Sequence, residues 1–370
     1  MEKSFKFRIY PNAEQTQQIQ RTFGCCRYIY NHFLSQRINL YKNNGEPLNY
    51  NSCSSNLTAL KNELSWLREV DAISLQSSLR DLDNAYSNFF RRIKKGEHPG
   101  FPKFKSKRNN RKSYKTKLVG SNIEVFDKHI KLPKLGMVKS AISKQVRGRI
   151  LNATVSQNPS GKHYVSLCCT DIDIEQLEPT GAIVGIDLGL KDIAITSDGK
   201  VYPNQKHLKK SEKQLAKAQR QLSRKSKDSN NRNKARIKVA KIHERIATQR
   251  KDAIHKLTTE IIKDCDVVVI EDLNIKGMVK NRKLSKAISD ASWGEIKRQL
   301  EYKAKWYGKA LVQIGRFYPS SQLCGCGYRN EETKDLAVRV WVCPACKIVN
   351  DRDVNAARNI LKEGLRLLSA

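Results

Sequence analysis

Three acidic side chains of this 370-residue sequence lie where a purely structural role is least expected. Asp187 interrupts one apolar run, Glu271 ends another, and Asp353 directly precedes a helical run. Each acid alone is more often structural, and Asp353 alone would be interpreted as a helix N-cap. However, three acids can converge when one lies in the first strand of a hairpin, one at the end of a parallel strand and one at the start of a late helix. The three together therefore predict a carboxylate site at one edge of a sheet.

A carboxylate cluster of this kind predicts a divalent cation. Carboxylates held close together raise each other's pKa unless a cation neutralises them, and Mg²⁺ or Mn²⁺ prefers such hard oxygen ligands. Two metal ions about 4 Å apart could activate a water molecule and stabilise the leaving 3′-oxygen of a phosphodiester. In this scheme Asp187 bridges both ions, while Glu271 and Asp353 hold one each. Three nearby acids are bystanders or supporting partners: Asp192, Asp272 and Asp351.

The last four of the ten cysteines form a second candidate metal site. The pair Cys324 and Cys326 is followed, after 16 residues, by the pair Cys343 and Cys346. Two close pairs at this separation are typical of a four-cysteine zinc ribbon, a structural site without an open coordination position. The second pair has the usual two intervening residues, whereas the first has only Gly325 and is a tighter chelate. Four free thiols are the alternative, and zinc here would fold the ribbon without doing chemistry.

The charge of the chain indicates a polyanionic partner. Lysine and arginine number 70 against 36 acidic residues, which gives a formal net charge of +34. A field of one sign on this scale repels itself unless a polyanion is normally bound, and nucleic acid is the obvious polyanion. An ordinary solvated surface is the alternative, but such surfaces usually mix both signs. We therefore favour a nucleic-acid partner.

A membrane is a poor alternative partner. No run of about 18 apolar residues is present, so nothing in the sequence is expected to span a bilayer. The N-terminal residues MEKSFKFRIYPN lack the apolar centre of a signal peptide and alternate like a strand. The other cysteines read as small core residues or carry no signal, which fits a compartment where thiols stay reduced. We therefore expect a cytoplasmic protein.

Hydrophobic periodicity predicts the elements that must position these side chains. After an opening strand, Asn12 is a plausible N-cap of a helix that reaches about residue 42, and Gly24 could break this helix. A second helical pattern has an apolar face made of Leu75, Leu79, Leu82, Tyr86, Phe89 and Phe90. Residues 12 to about 95 thus form a small helical unit. Short alternating segments over about 118–170 predict a small β-barrel or sheet that includes the opening strand.

In the second half of the chain, each of the three acids lies at the boundary of a predicted element. Two short strands flank a turn in AIVGIDLGLKDIAITSDGK, and residues 207–263 form long charged helices with a polar break at KDSNNRN. The segment DVVVIEDL is a buried strand that ends in acids, and helix follows to about residue 309. A strand (ALVQIGRF), the cysteine pairs and a final helix (NAARNILKEGLRLL) complete the chain.

Two basic segments are predicted to contact nucleic-acid backbones. Residues 103–117 contain eight Lys or Arg and no acid, and residues 206–256 contain 18 Lys or Arg against four acids. A solvated linker and an exposed helical hairpin are the respective alternatives. The charge imbalance makes phosphate contacts the better interpretation. The candidate contact residues are Arg8, Lys103, Lys105, Lys107, Arg108, Arg111, Lys112 and Arg250.

The sequence resembles TnpB, the transposon-encoded family of RNA-guided DNA nucleases that is regarded as ancestral to type V CRISPR effectors. The likeness covers essentially the whole chain and rests on seven motifs in the family's order. They are FRIYPN, FGCCRYIYN, PGFPKFK, VGIDLGLKDIAITSDG, VVVIEDLNIKGM, SSQLCGCGYRN and CPACKIVNDRDVNAARNI. Any one motif is modest, whereas seven in order are highly specific.

The resemblance implies a multidomain α+β protein with a ribonuclease H-like (RuvC) α/β nuclease domain. Its parts would be a wedge-like β-barrel (1–11 and 114–180), a helical recognition domain with a basic linker (12–113), the RuvC domain (181–316 and 347–370) and an inserted zinc ribbon (317–346). The resemblance also assigns the third acid to Asp353 rather than Asp351. Family members usually carry two residues between the first two cysteines, so Cys324-Gly-Cys326 is a departure that bears on zinc affinity and ribbon geometry.

For function, the resemblance implies an RNA-guided, metal-dependent DNA endonuclease of a transposable element. It would use Mg²⁺ or Mn²⁺ at the three acids, structural Zn²⁺ and a guide RNA transcribed from the element's end. A single RuvC site would cut each strand of a double-stranded target beside a short motif. Polar residues on the helix face opposite Leu75 and Leu79 are predicted to read that motif, namely Gln76, Ser77 and Arg80.

Two other functions fit part of the sequence. A transposase can also be basic, carry a zinc ribbon and use a ribonuclease H-like carboxylate site. An RNA-bound repressor would occupy DNA without cutting it, but the presence of all three acids argues against that. No histidine or serine nucleophile arrangement competes with the acids.

Overall fold

The first unit of the chain, Met1–Asp173, combines three long helices with an antiparallel sheet. The computed structural model describes residues 1–45, 47–108, 112–335 and 337–369. The elements of this unit are β1 (Lys3–Tyr10), α1 (Ala13–Asn44), α2 (Tyr50–Glu63), α3 (Ala72–Lys94), β2 (Lys112–Lys117), β3 (Glu124–Val125), β4 (His129–Leu132), β5 (Gly136–Ala141), β6 (Arg149–Gln157) and β7 (His163–Thr170). The strand order β2-β6-β7-β1-β5-β4-β3 places the opening strand between β7 and β5. The helices therefore interrupt the sheet in sequence, between its first two strands.

Helix α1 begins where the sequence predicted it and continues further. Asn12 is the N-cap, and its side chain and that of Gln15 form a reciprocal capping box. The helix runs through Gly24, so the break considered there is absent. A helical glycine costs only about 1 kcal/mol relative to alanine. Buried apolar side chains on both sides of it, such as Phe23 and Ile29, offset that cost by packing.

Helix α3 is buried only in its first half. Its buried residues all lie between Ser74 and Leu82. Beyond them the predicted apolar face continues, but Phe90 is 55% exposed. Tyr86 and Phe89 are only half-buried. The predicted apolar face thus extends beyond the buried part of the helix, because helical periodicity cannot show where the packing partners of a helix end.

The second unit, Ile174–Ala370, contains a mixed sheet between helices. Its elements are β8 (Ile183–Asp187), β9 (Asp192–Thr196), β10 (Val201–Pro203), α4 (His207–Ser223), α5 (Asn230–Asp264), β11 (Val267–Glu271), α6 (Ile275–Met278), α7 (Ser285–Ala291), α8 (Trp293–Tyr307), β12 (Ala310–Ile314), β13 (Val340–Val342), β14 (Val349–Asp351) and α9 (Arg352–Leu368). The strand order is β10-β9-β8-β11-β12. Strands β8, β11 and β12 are parallel, whereas β9 and β10 are antiparallel to their neighbours. A separate antiparallel pair, β13 and β14, precedes the last helix.

Helices α4 and α5 form the long charged pair predicted from the sequence, with a break between residues 223 and 230. A small apolar seam joins them, in which Leu215 and Ala218 of α4 pack with Ile242 and Ile246 of α5. Helix α5 has 35 residues, yet most of its surface is polar. Among the helices that the structure describes, none combines the length and the apolar character needed to cross a membrane.

Both faces of the mixed sheet are covered, as buried parallel strands require. On one face, Val268 and Ile270 of β11 belong to a core cluster that also contains Ile261 of α5 and Leu300 of α8. On the other face, Val269 packs with Ile360 of α9. Alternate residues of β11 thus enter two different cores, which follows from the two-residue period of a strand.

Helix α9 lies unusually close to the sheet, because two glycines make room for it. A Cβ atom added to Gly185 of β8 would lie 2.2 Å from the backbone oxygen of Ala357 and 2.6 Å from the backbone nitrogen of Leu361. A Cβ atom added to Gly364 would lie 2.4 Å from a methyl group of Val269. The position of the first turn of α9 relative to β8 therefore depends on these two glycines.

Candidate functional site

Asp187 and Glu271 lie on adjacent strands at the carboxyl edge of the mixed sheet. Strands β8 and β11 are parallel neighbours, and Ile186 is opposite Ile270 in their register. The next residue of each strand is the acid, so both carboxylates lie at the same edge. The two apolar runs that end in an acid are thus neighbouring strands, and they place their carboxylates side by side.

The third acid is supplied by the first turn of α9. Asp351 is the N-cap of this helix and accepts hydrogen bonds from the backbone nitrogens of Asp353 (3.0 Å) and Val354 (2.9 Å). Asp353 therefore does not have the capping role that its position in the sequence suggested. Its carboxylate instead forms an ion pair with Arg339, whose Nη1 lies 3.0 and 3.2 Å from the two oxygens.

The three carboxylates interact electrostatically. Burial is the main cause that raises the pKa of Asp187 to about 7, followed by the negative charges of Glu271 and Asp353. The positive charges of Arg352 and Arg339 lower that pKa but do not cancel the effect. A divalent cation would relieve this repulsion, and carboxylate oxygens are the ligands that Mg²⁺ and Mn²⁺ prefer. The donor set therefore fits such ions.

Glu271 is supported by residues that the sequence analysis missed. The hydroxyl of Ser320 donates a hydrogen bond to its carboxylate. Burial raises the pKa of Glu271, and this hydrogen bond opposes the rise. Asn359 of α9 donates to the carbonyls of Ser320 and Leu323, both at 2.7 Å, and Asn355 donates to Leu323 at 2.6 Å. The sequence signal that could have indicated this support was a pair of asparagines four residues apart on one face of the predicted last helix.

A cavity of about 250 Å³ adjoins two of the acids, Asp187 and Asp353. Asp192 lines the same cavity, together with Trp293. By contrast, Asp272 forms an ion pair with Arg316 and does not line it. Among the nearby acids considered from the sequence, Asp192 is therefore the one placed beside this space, whereas Asp351 is occupied as a helix cap.

The four cysteines of the predicted ribbon converge. Their Sγ atoms all lie within 4.8 Å of one another, with Cys324 and Cys346 at 3.5 Å and Cys326 and Cys343 at 3.6 Å. Four thiolates held at about 2.3 Å from a tetrahedral zinc ion would be about 3.8 Å apart, whereas a disulfide would be about 2.0 Å long. The cluster therefore suits zinc, and the single residue between the first two cysteines does not keep Cys326 out of it.

The three predicted motif-reading residues of α3 do not share one surface. Gln76 and Arg80 are exposed. The Arg80 guanidinium lies 3.5 Å from the ring centroid of Tyr50 and forms an ion pair with Asp83. Ser77 is only 3% exposed, so the expectation that it lies on the free face is wrong. Helix α3 packs against α1, α2 and β2, which buries a wider arc than the leucine stripe alone.

The predicted phosphate contacts of residues 103–117 lie largely at the surface. Four of them are exposed, namely Lys103, Lys105, Lys107 and Arg108. Lys112 is half-buried, and its Nζ donates to the side-chain oxygen of Gln20 at 3.2 Å. Arg111 lies outside the described residues. Lys103, Lys107 and Arg108 are therefore accessible to a nucleic-acid backbone, whereas the Nζ atom of Lys105 lies 4.0 Å from the ring centroid of Tyr30. The role of all four stays a prediction.

The two remaining predicted contacts have partners within the protein. Arg8 is half-buried, with its guanidinium 5.1 Å from the ring centroid of Tyr10. Arg250 forms an ion pair with Asp290 at 3.1 Å and donates to the carbonyl of Ser289 at 3.2 Å. These contacts favour a structural role for Arg250, which joins α5 to the C-terminal half of α7.

Three family models match parts of this chain. One described as "Probable transposase", for the IS605 OrfB proteins, matches residues 166–282. One described as "Cas12f1-like, TNB domain" matches residues 293–360, which include the cysteine cluster and two of the asparagines described above. A helix-turn-helix model of the same OrfB proteins matches residues 1–46, where the structure has β1 and the single helix α1.

Known proteins resemble the chain over almost its whole length. A Streptomyces pristinaespiralis protein named "Putative RNA-guided DNA endonuclease" is 40% identical over 99% of this chain and 90% of its own. The Escherichia coli (strain K12) protein "Putative RNA-guided DNA endonuclease InsQ" is 34% identical over 99% of this chain and 93% of its own. The cryo-EM structure of a Cas12f1–sgRNA–target DNA complex contains a similar fold, with a TM-score of 0.52 at 15% identity over 97% of this chain and 98% of that chain.

Proposed function

Because this chain belongs to the TnpB (IS605 OrfB) family, we propose that it is an RNA-guided DNA endonuclease that cleaves double-stranded DNA matched to a bound guide RNA. Two relatives that carry the name RNA-guided DNA endonuclease align with nearly all of it. The observation that carries the proposal is the convergence of Asp187, Glu271 and Asp353 at one sheet edge, where the pKa of Asp187 reflects both other charges. This is the chemistry expected of metal-dependent phosphodiester hydrolysis.

The strand arrangement supports a ribonuclease H-like (RuvC) assignment for the second unit. An antiparallel β8-β9-β10 meander is followed by two parallel strands, β11 and β12, that are each reached through helices. We assign residues 181–316 and 347–370 to the nuclease domain and 317–346 to the zinc ribbon. By resemblance, the β segments 1–11 and 114–180, the second of which extends past Asp173, would be the wedge domain, and 12–113 would be the recognition domain with its basic linker.

In this proposal, Asp187, Glu271 and Asp353 would hold the catalytic divalent cations, since the charges of Glu271 and Asp353 both act on Asp187. When bound, the ions would lower the pKa of an attacking water and stabilise the leaving oxygen. Ser320 orients the Glu271 carboxylate. Because Asp351 caps α9, the Asp353 carboxylate is not needed for capping. Arg339 pairs with Asp353 and is placed to take up a backbone phosphate when a cation replaces it.

The basic segments would hold the nucleic acids. We propose that residues 103–108 and the helices α4 and α5 contact phosphates, since their exposed lysines and arginines greatly outnumber acids. Gln76 and Arg80 remain the candidates for reading a short motif in duplex DNA. Base pairing with the guide RNA would then select the target sequence, so the protein need not read it. We also propose Mg²⁺ as the working ion.

A transposase is the second candidate, favoured by one observation, the match of residues 166–282 to a family model described as a probable transposase. Its chemistry uses the same three carboxylates, so the site geometry alone does not separate the two. The difference lies in the product, since a transposase joins an element end to a new strand. A non-cutting repressor is less well supported, because the acids are all present and close enough to interact.

The deciding experiment starts from the full chain expressed together with its element's flanking transcript. The copurified RNA would be sequenced, and duplex DNA matching its variable end, beside a randomised flank, would be added with Mg²⁺. We expect cleavage that requires the guide match, a particular flank and Asp187. The Asp187→Ala variant should bind the same RNA and leave the DNA uncut.

Each other outcome contradicts the proposal in a different way. Joining of element ends without a guide match would support the transposase. A discrete RNA with no Mg²⁺-dependent cutting would support the repressor. If no discrete RNA copurifies, the guide RNA hypothesis fails. The three acids would then have to serve unguided cleavage or transposition.

A further inference from the structure

Four aromatic side chains in the first unit form an exposed cluster that the core does not account for. Tyr86 and Phe89 of α3 each contact the ring of Phe101, at centroid distances of 5.7 and 5.3 Å, and each also contacts Phe90. Phe90 is 55% exposed and Phe101 is 45% exposed. We call Tyr86, Phe89, Phe90 and Phe101 the aromatic surface. Contiguous exposed apolar area of this kind usually marks an interaction site.

The inner edge of the aromatic surface is fixed in place. The guanidinium of Arg37 lies 5.1 Å from the ring centroid of Tyr86, and the same Arg37 forms an ion pair with Asp83 of α3. The mutual contacts of the four rings are mostly edge-to-face, an arrangement that aromatic rings prefer. Two rings, Phe90 and Phe101, therefore present surface to solvent from a rigid base.

The charge around the aromatic surface is strongly positive. From residue 84 to residue 117 the sequence has twelve Lys or Arg and a single acid, Glu97. Arg91, Arg92 and Lys94 occupy the last turn of α3, and Arg92 lies against Gly100, next to Phe101. A second copy of so basic a chain would be repelled, whereas a polyanion would be attracted. Aromatic rings within a basic surface are the arrangement that binds single-stranded nucleic acid, by stacking of bases and contacts to phosphates.

We propose that unpaired bases of the guide RNA stack on Phe90 and Phe101 of the aromatic surface. The inference rests on the proposed function and adds a specific RNA contact to it. RNA is favoured over target DNA because an exposed apolar surface is a liability whenever it is uncovered. The guide would be bound throughout, whereas DNA would be bound only during an encounter. Stacking needs no particular base, so it suits a scaffold segment of the RNA.

The test compares leucine with tryptophan at the two exposed rings. The double variant Phe90→Leu, Phe101→Leu keeps apolar side chains but removes the rings, while Phe90→Trp, Phe101→Trp keeps rings. With guide RNA transcribed in vitro, we expect the leucine variant to bind at least about fivefold more weakly and the tryptophan variant to bind like the wild type. Phe126→Leu is the matched control, because Phe126 is 45% exposed in the same unit but stands outside the aromatic surface.

Two further readouts separate stacking from a structural or purely ionic role. Chemical probing should show a few unpaired RNA bases that the wild type protects and the leucine variant exposes. The slope of log Kd against log salt should be unchanged, because no phosphate contact is lost. The melting temperature of the RNA-free leucine variant should stay close to that of the wild type, since each ring is only about half-buried and leucine keeps apolar contacts at both positions.

Several results would overturn the inference while leaving the proposed function intact. They are equal RNA affinity of the leucine variant and the wild type, an equal loss in the Phe126→Leu control, and weakened binding of target DNA with unchanged binding of RNA. A loss of RNA affinity explained by a lower melting temperature would also reject it. If the wild type binds no discrete RNA, the proposed function fails as well.

Discussion

At the scale of single residues, Asp187 is the most informative side chain of the molecule. Burial and two neighbouring carboxylates raise its pKa to about 7, from an ordinary value of about 4. A carboxyl whose folded-state pKa is raised contributes stability at low pH that is lost as the pH rises through that pKa. Without a divalent cation, charging of Asp187 near neutrality therefore opposes folding. A bound cation would reverse this penalty.

We expect this coupling to be visible without any cleavage assay. In buffer without added Mg²⁺, the contribution of Asp187 to the free energy of unfolding should fall as the pH rises from about 4 to about 7, because its carboxyl keeps its proton in the folded state but loses it in the unfolded state. The Asp187→Asn variant should show a smaller fall. Denaturant melts at several pH values, with and without Mg²⁺, measure both curves. Mg²⁺ should stabilise the wild type near neutral pH more than the variant.

Asp264→Asn is a suitable control, because Asp264 is exposed and paired with Lys200. It should follow the wild-type pH profile and keep the response to Mg²⁺. Superimposable profiles for Asp187→Asn and the wild type would show that the pKa of Asp187 is not raised in the folded protein.

At the scale of elements, the packing of α9 on β8 decides whether Asp353 reaches the other acids. The helix backbone contacts the position of Gly185 so closely that any side chain there would displace it. Asp353 lies one turn before Ala357, the residue whose carbonyl is closest to that position. A shift of the helix would therefore move the third acid. The distance between sheet and helix is thus part of the site.

The Gly185→Ala variant should lose both stability and cleavage. The added Cβ would lie 2.2 Å from a backbone oxygen, so α9 must move, at a cost of about 1–3 kcal/mol or more in the free energy of unfolding. Cleavage should fall more steeply than guide RNA binding. Gly24→Ala makes the same chemical change at a helical site where, among the described residues, the added Cβ would meet no heavy atom within 4 Å apart from its chain neighbours and the helix's own backbone. It should leave cleavage unchanged and stabilise by up to about 1 kcal/mol. Normal cleavage by Gly185→Ala would show that α9 can shift without affecting the site.

The cysteine ribbon joins metal binding to the same helix. Strand β14 follows the second cysteine pair and ends at Asp351, the N-cap of α9. A ribbon that loses its order should therefore disturb the start of α9. Zinc at the four cysteines would therefore indirectly stabilise the position of Asp353 beside the other two acids, and it would take no part in the chemistry itself.

We expect one zinc ion per wild-type chain and substantially less in Cys326→Ser. Cys326 supplies one of the four converging thiols, and structural zinc sites need all four ligands. Elemental analysis of the purified proteins measures this directly, and cleavage should fall with the zinc content. Cys265→Ser removes a cysteine that lies outside the cluster and should retain zinc. Full zinc occupancy in Cys326→Ser would mean that Cys326 is not a ligand.

At the scale of the whole molecule, a net charge of +34 creates a self-repelling positive field that a bound polyanion would neutralise. Counterion release then controls affinity, so binding should weaken steeply as salt increases. The basic residues are not equivalent, since some are paired with acids in the protein and others are exposed. Lys103 is exposed, whereas Lys131 forms an ion pair with Glu124 at 3.2 Å. The contribution of individual lysines to nucleic-acid binding can therefore be tested by comparing an exposed lysine with a paired one.

Lys103→Gln should reduce the slope of log K against log salt by about one for guide RNA binding, without abolishing cleavage. Lys131→Gln removes the same charge from a paired site and should change the slope less. Filter binding from low to physiological salt provides the measurement. Identical slopes for Lys103→Gln and the wild type would exclude Lys103 as a phosphate contact.

Much of this protein was determined by features that are local in the sequence. Apolar runs that meet an acid predicted the positions of Asp187 and Glu271, and the spacing of two cysteine pairs predicted the convergence of their four thiols. The periodicity also predicted the long charged helices and the opening strand. The family likeness added the choice of Asp353 over Asp351, which spacing alone could not make. These features depend on a residue and its near neighbours, which the sequence displays directly.

Only the tertiary structure decided which side chains meet across long separations. Ser320 and Glu271 are 49 residues apart in the chain, and the Ser320 backbone is held by a hydrogen bond from Asn359 of α9. The burial of Ser77 and the exposure of Phe90 depend on where the neighbours of α3 begin and end. Helical periodicity shows which residues share a face, but not how far along the helix a partner covers it. That information exists only once distant elements have packed together.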